Sequence, residues 1–421
     1  MEFNDVLQIG ARTKQPLSTF DSELTEDFPE NYQRRITMGR VALVLLLTIV
    51  SPLLFCQEVR AGLCSEIISP YGYNCREYQA TTDDGFILGI QNIPNTGPPV
   101  LLMHGLMGGG DNYVLTPPSQ SLAFILSNAG YDVWIGNNRC VEWSGGHVSY
   151  GSSSDEYWAW TYDDLSSYDL TALTAFVYNQ RGPLFYVGHS QGTLMLLAGL
   201  TGGVYKSEVR GYLKAAVLLA PVASVGHVTP TLTKIGLSIY ADEILPAIGV
   251  QEFDTNIFAN LACTNLSLSA SFCSNAFSDI LGNFIGSNNY IDMSKIQYDN
   301  KFFPQSTSSA NINHYGQSYR SNSFQFYDKG STAGNLAAYG QSQPPSYDLL
   351  AFPSSLPLQI WSGGLDGLAD PTDVASLLGK LPNSNLKAHH LASYGHLDFV
   401  LGTRSCLDIY PYVMQFFQAH G

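Results

Sequence analysis

Five short apolar segments, four of them followed directly by a glycine or a polar residue, are the feature that most constrains how this chain folds. They are Pro99–Met103, 131–135, 184–187, 215–219 and 356–361. Strands that are buried on both faces have continuous apolar runs of this kind, as in a parallel sheet covered by helices. Segments with helical patterns lie between them, at 120–129, 165–179 and 193–200. This alternation predicts an α/β fold with a mostly parallel, doubly wound sheet.

The segment 225–343 interrupts the alternation. It is rich in Ser, Asn, Gly and aromatic residues and has no clear strand pattern. A structureless loop of this length is not expected inside a compact domain. We therefore predict a core formed by 62–224 and 344–421 and an inserted, mainly helical cap formed by 225–343. The aromatic side chains of the cap either form its own core or line a cavity.

The chain is acidic, with a formal net charge of −15 and a pI of about 4.8. Binding to nucleic acid requires a basic surface that displaces counterions from phosphates, and no basic stripe is present, so that class of function is excluded. There is no CxxC motif and no Cys/His cluster with zinc spacing. We therefore expect neither a metal site nor a cofactor.

Four cysteines form two pairs that are close in sequence. The pairs are Cys64 with Cys75 and Cys263 with Cys273. If the chain is exported, each pair is a candidate disulfide that closes a short loop, and the alternative is four buried thiols. Cys140 and Cys406 either pair with each other or stay free.

The first 61 residues allow two interpretations. Residues 1–37 are polar and are expected to be a disordered tail. An apolar run, 41–56, is shorter than a bilayer span requires and precedes small residues, which favours a signal peptide at 38–61 with Met38 as the true start. The alternative is an uncleaved membrane anchor. Both interpretations place 62–421 in the secretory pathway, where Asn265 in an Asn-Leu-Ser sequon is a candidate glycosylation site.

The motif Gly188-His189-Ser190-Gln191-Gly192 joins a predicted strand to a predicted helix. A strand-to-helix turn this tight forces its central residue into a strained conformation and exposes its hydroxyl. GxSxG occurs by chance in a glycine-rich chain, but the flanking strand and helix are the context that a nucleophile elbow requires. We therefore predict that Ser190 is a catalytic nucleophile.

A serine hydroxyl needs an imidazole that accepts its proton and a carboxylate that orients the imidazole. In one common order the acid follows the serine and the histidine comes last. His396 lies in a glycine-marked loop late in the chain, whereas His389 and His390 lie in a predicted edge strand. We predict His396 as the base.

Asp366 directly follows the strand predicted at 356–361 and is the predicted orienting acid. Asp370 and Asp373 are rivals, but we expect them to cap the following helix, because Pro371 suits its first turn. Asp398 is too close to His396 in sequence to reach around the imidazole ring.

A tetrahedral intermediate requires backbone N–H groups that bind its oxyanion. Gln191 follows the predicted nucleophile, and the loop His104-Gly105-Leu106 follows an early strand. We predict that the N–H groups of Leu106 and Gln191 are the two donors. The three glycines at 108–110 lack the Lys and Ser/Thr of a phosphate-binding loop.

Ordered motifs across 62–417 resemble the acid lipase family, which comprises gastric and lysosomal acid lipases of animals and their plant and fungal relatives. The likeness is greatest to plant members. The motifs include Gly72-Tyr73-x-Cys75-x-Glu77-Tyr78, His104-Gly105-Leu106, Gly130-Tyr131-Asp132-Val133-Trp134, His314-Tyr315-Gly316-Gln317, Trp361-x-Gly363-Gly364-x-Asp366 and His396-Leu397-Asp398-Phe399.

The resemblance implies an α/β-hydrolase fold, a cap with a movable lid, and hydrolysis of long-chain acyl esters such as triacylglycerols or steryl esters at a lipid–water interface. It implies the same triad and oxyanion donors, a secreted, lysosomal or vacuolar location, and a disulfide between Cys263 and Cys273. Cys140 departs from the usual Gly and Tyr113 from the usual Trp, which leaves the preferred acyl chain length open.

Other functions stay open beside this one. The chain is alternatively a membrane-anchored steryl ester hydrolase, a short-chain esterase or a protease, since a triad does not select the acyl group. A further alternative is an inactive hydrolase used for binding, but the five intact site positions argue against that function. At pH 5 an imidazole with an ordinary pKa near 6.5 is largely protonated and cannot act as a base. An acidic optimum is therefore implied only by the resemblance.

Overall fold

The computed structural model describes residues 62–229, 241–247, 249–253, 285–292, 294, 304–382 and 384–421. The predictions for 1–61, Cys263, Cys273 and Asn265 lie outside the described residues. Among the helices that the structure describes, none has the length and hydropathy needed to cross a membrane.

The strands of the described residues are, in chain order, β1 (Arg76–Thr81), β2 (Phe86–Ile93), β3 (Pro99–Met103), β4 (Asp132–Gly136), β5 (Gly146–His147), β6 (Leu184–His189), β7 (Leu213–Leu219), β8 (Glu252–Phe253), β9 (Thr307–Ser308), β10 (Leu358–Gly363) and β11 (Leu386–Leu391). One large sheet has the spatial order β1-β2-β4-β3-β6-β7-β10-β11, and β5 pairs with β2. The neighbouring strands β4, β3, β6, β7, β10 and β11 are parallel to one another, whereas β2 is antiparallel to β1, β4 and β5.

The α-helices of the described residues are α1 (Leu122–Asn128), α2 (Asp155–Trp158), α3 (Tyr162–Asp164), α4 (Leu170–Arg181), α5 (Gln191–Thr201), α6 (Lys206–Tyr212), α7 (Ala241–Ala247), α8 (Ser309–Ser321), α9 (Thr332–Tyr339), α10 (Pro371–Lys380), α11 (Asp398–Leu401), α12 (Ser405–Asp408) and α13 (Tyr410–Gln418). Helices α4, α5 and α6 pack together, and α13 packs against α1. In α13 the buried side chains recur at helical spacing, at Tyr410, Val413, Phe416 and Phe417, so one apolar face packs on the core.

The predicted mostly parallel α/β fold is confirmed. Every residue of β3, β4, β6 and β10 is buried, as expected for strands covered on both faces. The strand predicted at 356–361 begins at Leu358, two residues later than predicted. Pro357 precedes it and has no N–H to give to a neighbouring strand.

The position of the site follows from the strand order. The chain passes from β3 to β4 on one side and later enters β6 on the other side of β3. Ligands bind to sheets of this kind at the carboxyl ends of the strands, where the order reverses. The loop after β3 and the turn after β6 therefore lie side by side at the expected position.

The described parts of the segment 225–343 contain helices α7, α8 and α9 and an antiparallel pair of two-residue strands, β8 and β9. The sequence analysis found no clear strand there. Strands this short give no alternating pattern that a sequence can reveal. We refer to 225–343 below as the insertion.

Candidate active site

Ser190 lies between the last residue of β6 and the first residue of α5, at the predicted strand-to-helix turn. Its φ of 52° and ψ of −117° are strained for a residue with a side chain. A Cβ atom on Gly188 would come within 2.6 Å of the Gly192 carbonyl oxygen, and one on Gly192 within 2.5 Å of the Met103 oxygen. The tight turn therefore requires both glycines.

Three predicted residues from three different loops meet in a chain of hydrogen bonds. His396 Nε2 lies 2.7 Å from Ser190 Oγ, and His396 Nδ1 lies 2.9 Å from each carboxylate oxygen of Asp366. With a carboxylate as acceptor, Nδ1 carries the proton, so that Nε2 of the neutral imidazole accepts from the serine hydroxyl. All three side chains are buried, which excludes competing water from the hydrogen bonds.

The Asp366 carboxylate is held in a fixed orientation. Its Oδ1 accepts hydrogen bonds from the backbone N–H groups of Leu368 at 3.0 Å and Ala369 at 2.8 Å. Because these donors belong to the turn that follows β10, they fix the direction in which the carboxylate faces the imidazole. Such pre-organisation favours function as an orienting acid.

The rival acids have other partners. Asp370 caps α10 by accepting from the Thr372 N–H at 2.7 Å, as the sequence analysis expected. Asp373 accepts from both the backbone and the ring of His227. His389 stacks on Trp361 in the neighbouring strand, and His390 contacts Ser362. Among the described residues it is His396, and none of these rivals, that hydrogen-bonds to the hydroxyl of Ser190.

The loop after β3 lies against the predicted nucleophile. A Cβ atom on Gly105 would come within 2.9 Å of Ser190 Cβ, so only glycine permits this approach. His104 donates from Nδ1 to the Gly105 carbonyl oxygen and accepts at Nε2 from the Asn138 N–H. Burial lowers the pKa of His104 to about 4. The ring is therefore neutral at ordinary pH and can hold the loop through one donor and one acceptor.

Gln191 begins α5, where the first N–H groups of a helix have no helical acceptor. Its side-chain oxygen accepts from Asn311 Nδ2 at 2.9 Å and from the Tyr315 hydroxyl at 3.2 Å, both on α8 of the insertion. Asn311 carries no signal in the sequence, and Tyr315 stands out there only as part of a family motif.

A second contact of the insertion reaches the loop of Leu106. The Gln305 N–H donates to the carbonyl oxygen of Met107 at 2.7 Å. The Gln305 side chain bridges from the Glu142 N–H, at 2.8 Å, to the buried Asp111 carboxyl, at 3.4 Å. Burial raises the pKa of Asp111 to about 8. No sequence signal singled out these residues.

The two departures from the family pattern both have a structural setting. The Tyr113 hydroxyl donates to the Met103 carbonyl oxygen at 2.8 Å, at the end of β3. Cys140 has a φ of 63°, a left-handed conformation that glycine adopts without strain. Its thiol is free and burial raises its pKa to about 12, which disfavours the reactive thiolate.

Of the candidate disulfides, the one between Cys64 and Cys75 is present. Cys140 and Cys406 are both free cysteines, so they do not pair with each other.

A mostly parallel sheet, a strained serine between a strand and a helix, and an acid and a histidine that follow later strands define an α/β-hydrolase. The solved structure of a soluble variant of monoglyceride lipase from Saccharomyces cerevisiae has the same fold, with a TM-score of 0.51 and 16% identity over 84% of this chain and 98% of that one. A model of the family described as partial alpha/beta-hydrolase lipase region matches residues 64–117.

Relatives of similar length narrow the class to a family. Triacylglycerol lipase 1 of Arabidopsis thaliana is 38% identical, over 85% of this chain and 91% of the relative. Human gastric triacylglycerol lipase is 36% identical over 82% and 88%. Human lysosomal acid lipase/cholesteryl ester hydrolase is 36% identical over 80% and 86%. The chain belongs to the acid lipase family, and it is a serine ester hydrolase.

Proposed function

We propose that this chain hydrolyses long-chain acyl esters of lipids, such as triacylglycerols or steryl esters, at a lipid–water interface. In this proposal Ser190 is the nucleophile, His396 the general base and acid, and Asp366 the residue that orients the imidazole. The observation that carries the proposal is the chain of hydrogen bonds at 2.7 and 2.9 Å through both nitrogens of His396.

The first half of the reaction forms an acyl-enzyme. Ser190 Oγ attacks the ester carbonyl carbon while His396 Nε2 takes the hydroxyl proton. The resulting imidazolium is stabilised by the carboxylate of Asp366. As the tetrahedral intermediate collapses, the bond to the alcohol oxygen breaks, and His396 donates its proton to that oxygen. The alcohol leaves and the acyl group stays on Ser190.

The negative charge of the tetrahedral intermediate falls on the former carbonyl oxygen. The proposed donors to this oxygen are the backbone N–H groups of Leu106 and Gln191. Removing one donor of this kind typically costs about 10²–10³ in rate. In the second half of the reaction a water molecule, deprotonated by His396, attacks the acyl-enzyme and releases the fatty acid.

The substrate class rests on the relatives. Two of them are named triacylglycerol lipases and one a lysosomal acid lipase/cholesteryl ester hydrolase. All three are about one third identical to this chain over most of its length. We therefore propose that the substrate is a fatty acyl ester of a large apolar alcohol, and not the short-chain ester that a short-chain esterase would cleave. We also propose 62–224 and 344–421 as the core and 225–343 as the cap.

The proposed location is the secretory pathway, with secretion or delivery to a lysosome or vacuole. The disulfide between Cys64 and Cys75 supports it, because disulfides persist in oxidising compartments. The gastric and lysosomal relatives are consistent with it. Cleavage after Ala61, glycosylation at Asn265, the disulfide between Cys263 and Cys273 and the alternative of a membrane anchor are further proposals.

The test compares the full chain with its Ser190→Ala variant on triacylglycerols and p-nitrophenyl esters from butyrate to oleate, at pH 5 and at pH 7.5. We expect hydrolysis that increases with acyl length and is lost in the variant. Activity on butyrate alone would support a short-chain esterase. Full activity of Ser190→Ala would overturn the proposed triad. A folded wild-type chain that cleaves none of these esters would support a binding function.

A further inference from the structure

Asp398 lies two residues beyond His396, where its carboxylate holds a part of the insertion against the histidine loop. We propose that Asp398 is a positioning residue of the hydrolytic reaction, which fixes the imidazole of His396 by clamping the loop 393–403 to the segment 287–290. This role rests on the proposed function.

The carboxylate of Asp398 is fully buried and accepts three backbone N–H groups. Its Oδ2 accepts from Gly395 at 2.8 Å and from Asn289 at 2.9 Å, and its Oδ1 accepts from Tyr290 at 2.8 Å. Gly395 belongs to the histidine loop, and the other two donors belong to the insertion. One side chain therefore joins two segments that are more than a hundred positions apart in sequence.

The same two segments are joined by further contacts. The Leu397 N–H donates to Asn288 Oδ1 at 2.8 Å. The Tyr290 hydroxyl donates to Ser393 Oγ at 2.8 Å. A Cβ atom on Gly395 would overlap the carbonyl oxygen of Ser287, so the backbones are in direct contact there. The segment 287–290 thus forms a continuous support under the histidine loop.

These contacts fix the backbone on both sides of His396. The preceding N–H, of Gly395, binds Asp398, and the following N–H, of Leu397, binds Asn288. The imidazole itself is bound to Asp366 and not to Asp398. The two carboxylates therefore have separate tasks. Asp366 orients the ring about its own bonds, and Asp398 fixes the point from which the ring projects.

This placement matters for rate because the hydrogen bond between His396 Nε2 and Ser190 Oγ is only 2.7 Å long. A displacement of about 1 Å at a catalytic group can lower a rate about 10²-fold. A carboxylate has acceptors on both oxygens, which the three N–H groups require. The Asp398→Asn variant keeps the shape of the side chain but turns an NH2 group toward at least one N–H donor, so it breaks the clamp with little change in volume.

The experiment measures kcat and KM of the full chain on p-nitrophenyl butyrate, with the number of active sites counted by a phosphonate that reacts with Ser190. For Asp398→Asn we expect kcat per active site to fall about 10- to 100-fold, with KM within about threefold of the wild-type value. Asn288→Ala, which removes the acceptor for the Leu397 N–H, should have a smaller effect of the same kind. The fold-loss in kcat of the double variant should be smaller than the product of the two single fold-losses, because both changes act on one loop.

The matched control is Asp132→Asn at the amino end of β4. Asp132 is also buried and accepts from Asn95 N–H, Asn92 Nδ2 and Trp134 Nε1, but it lies at the opposite end of the sheet from Ser190. Its variant should lower Tm, with kcat per active site within about twofold of wild type.

Wild-type kcat per active site in Asp398→Asn, or in Asn288→Ala if the first variant does not fold, would overturn the positioning role. A kcat loss of equal size in Asp132→Asn would also overturn it, because any buried carboxylate would then have the same effect. Ser190→Ala in the same assay separates the two proposals. If that variant keeps its activity, the proposed function fails, whatever Asp398→Asn does.

Discussion

His189 donates a hydrogen bond from Nε2 to the backbone carbonyl oxygen of His396 at 2.9 Å. The residue before the proposed nucleophile thus holds the backbone of the proposed base. Burial, and to a lesser degree the neighbouring His396, lowers the pKa of His189 to about 3. The ring is therefore neutral, with its proton on Nε2, at any pH at which the enzyme is expected to work.

His189→Leu removes this donor and leaves the His396 carbonyl oxygen buried without it. We expect a loss of about 1–3 kcal/mol in the free energy of unfolding and a kcat about 10-fold lower, since the imidazole loses one of its backbone supports. Urea unfolding and kcat per active site measure the two effects. His420→Leu is the control, because His420 also bonds a backbone carbonyl oxygen, that of Phe416, but lies just beyond the end of α13. Equal kcat losses in both variants would contradict the prediction.

Asp366→Asn and Asp370→Asn make the same chemical change four residues apart. The first places an NH2 group opposite His396 Nδ1 and favours the wrong tautomer, so we expect kcat to fall about 10⁴-fold with the fold retained. The second replaces one good helix cap by another and should leave kcat unchanged. Steady-state kinetics on a soluble ester measure kcat of both variants and show which of the two carboxylates orients the imidazole. A large loss in Asp370→Asn alone would transfer the orienting role to that residue.

The Gln191 side chain depends on two donors from α8. Asn311→Ala removes the shorter of the two hydrogen bonds, and we expect a loss of about 1–3 kcal/mol in the free energy of unfolding. Tyr315→Phe removes the other. If both donors hold one side chain, their effects on kcat will be non-additive in the double variant. Additive effects would show that α8 does not act on the elbow through Gln191.

The pH dependence of stability follows from buried groups whose pKa values shift in opposite directions. Burial raises the pKa of Asp111 to about 8 and of Asp163 to about 7. Between the ordinary carboxyl pKa of 3.8 and these values the folded chain binds more protons than the unfolded chain, so the free energy of unfolding falls as pH rises. His104 and His189 act with the opposite sign, because burial lowers their pKa values to about 4 and about 3. Their contribution is complete above about pH 6.5.

We therefore expect the wild-type chain to lose stability from pH 6.5 to pH 8, where the carboxyl effect continues and the histidine effect has ended. Asp111→Asn substitutes a neutral group of the same shape for the protonated carboxyl. It should reduce the fall in Tm across this interval by about 2–4 °C. Scanning fluorimetry measures it, with Glu156→Gln on the exposed surface as control. An unchanged pH profile in Asp111→Asn would show that this carboxyl is not protonated in the folded chain.

The sheet and the three proposed catalytic residues were accessible from the sequence for a local reason. Ser190 and Asp366 directly follow strands whose apolar runs are continuous, and His396 follows the edge strand that carries His389 and His390. Parallel strands bring their carboxyl ends to one edge, so residues far apart in sequence become neighbours once the strands are located.

The contacts made by the insertion were not accessible in this way. Asn311 binds Gln191 across 120 positions, and Asn288 binds the Leu397 N–H across 109. A polar side chain that meets a distant partner leaves no periodic signal, because its environment is set by how the insertion packs and not by its neighbours in sequence. Asp398 could be excluded as the orienting acid because it lies only two residues from His396. Its partners Asn289 and Tyr290 could not be foreseen, because they are distant in sequence.

The described residues of the insertion bind the core at many places, and three of these contacts lie around the proposed active site. Asn288 binds the histidine loop, Gln305 the loop after β3, and Asn311 the elbow. A movement of these described residues away from the core would break at least one of these hydrogen bonds. We therefore expect a lipid to reach Ser190 beside these three contacts, without separating them from the core. Substitutions at positions between these contacts can then change the size of substrate that fits, without moving Ser190, His396 and Asp366 relative to one another.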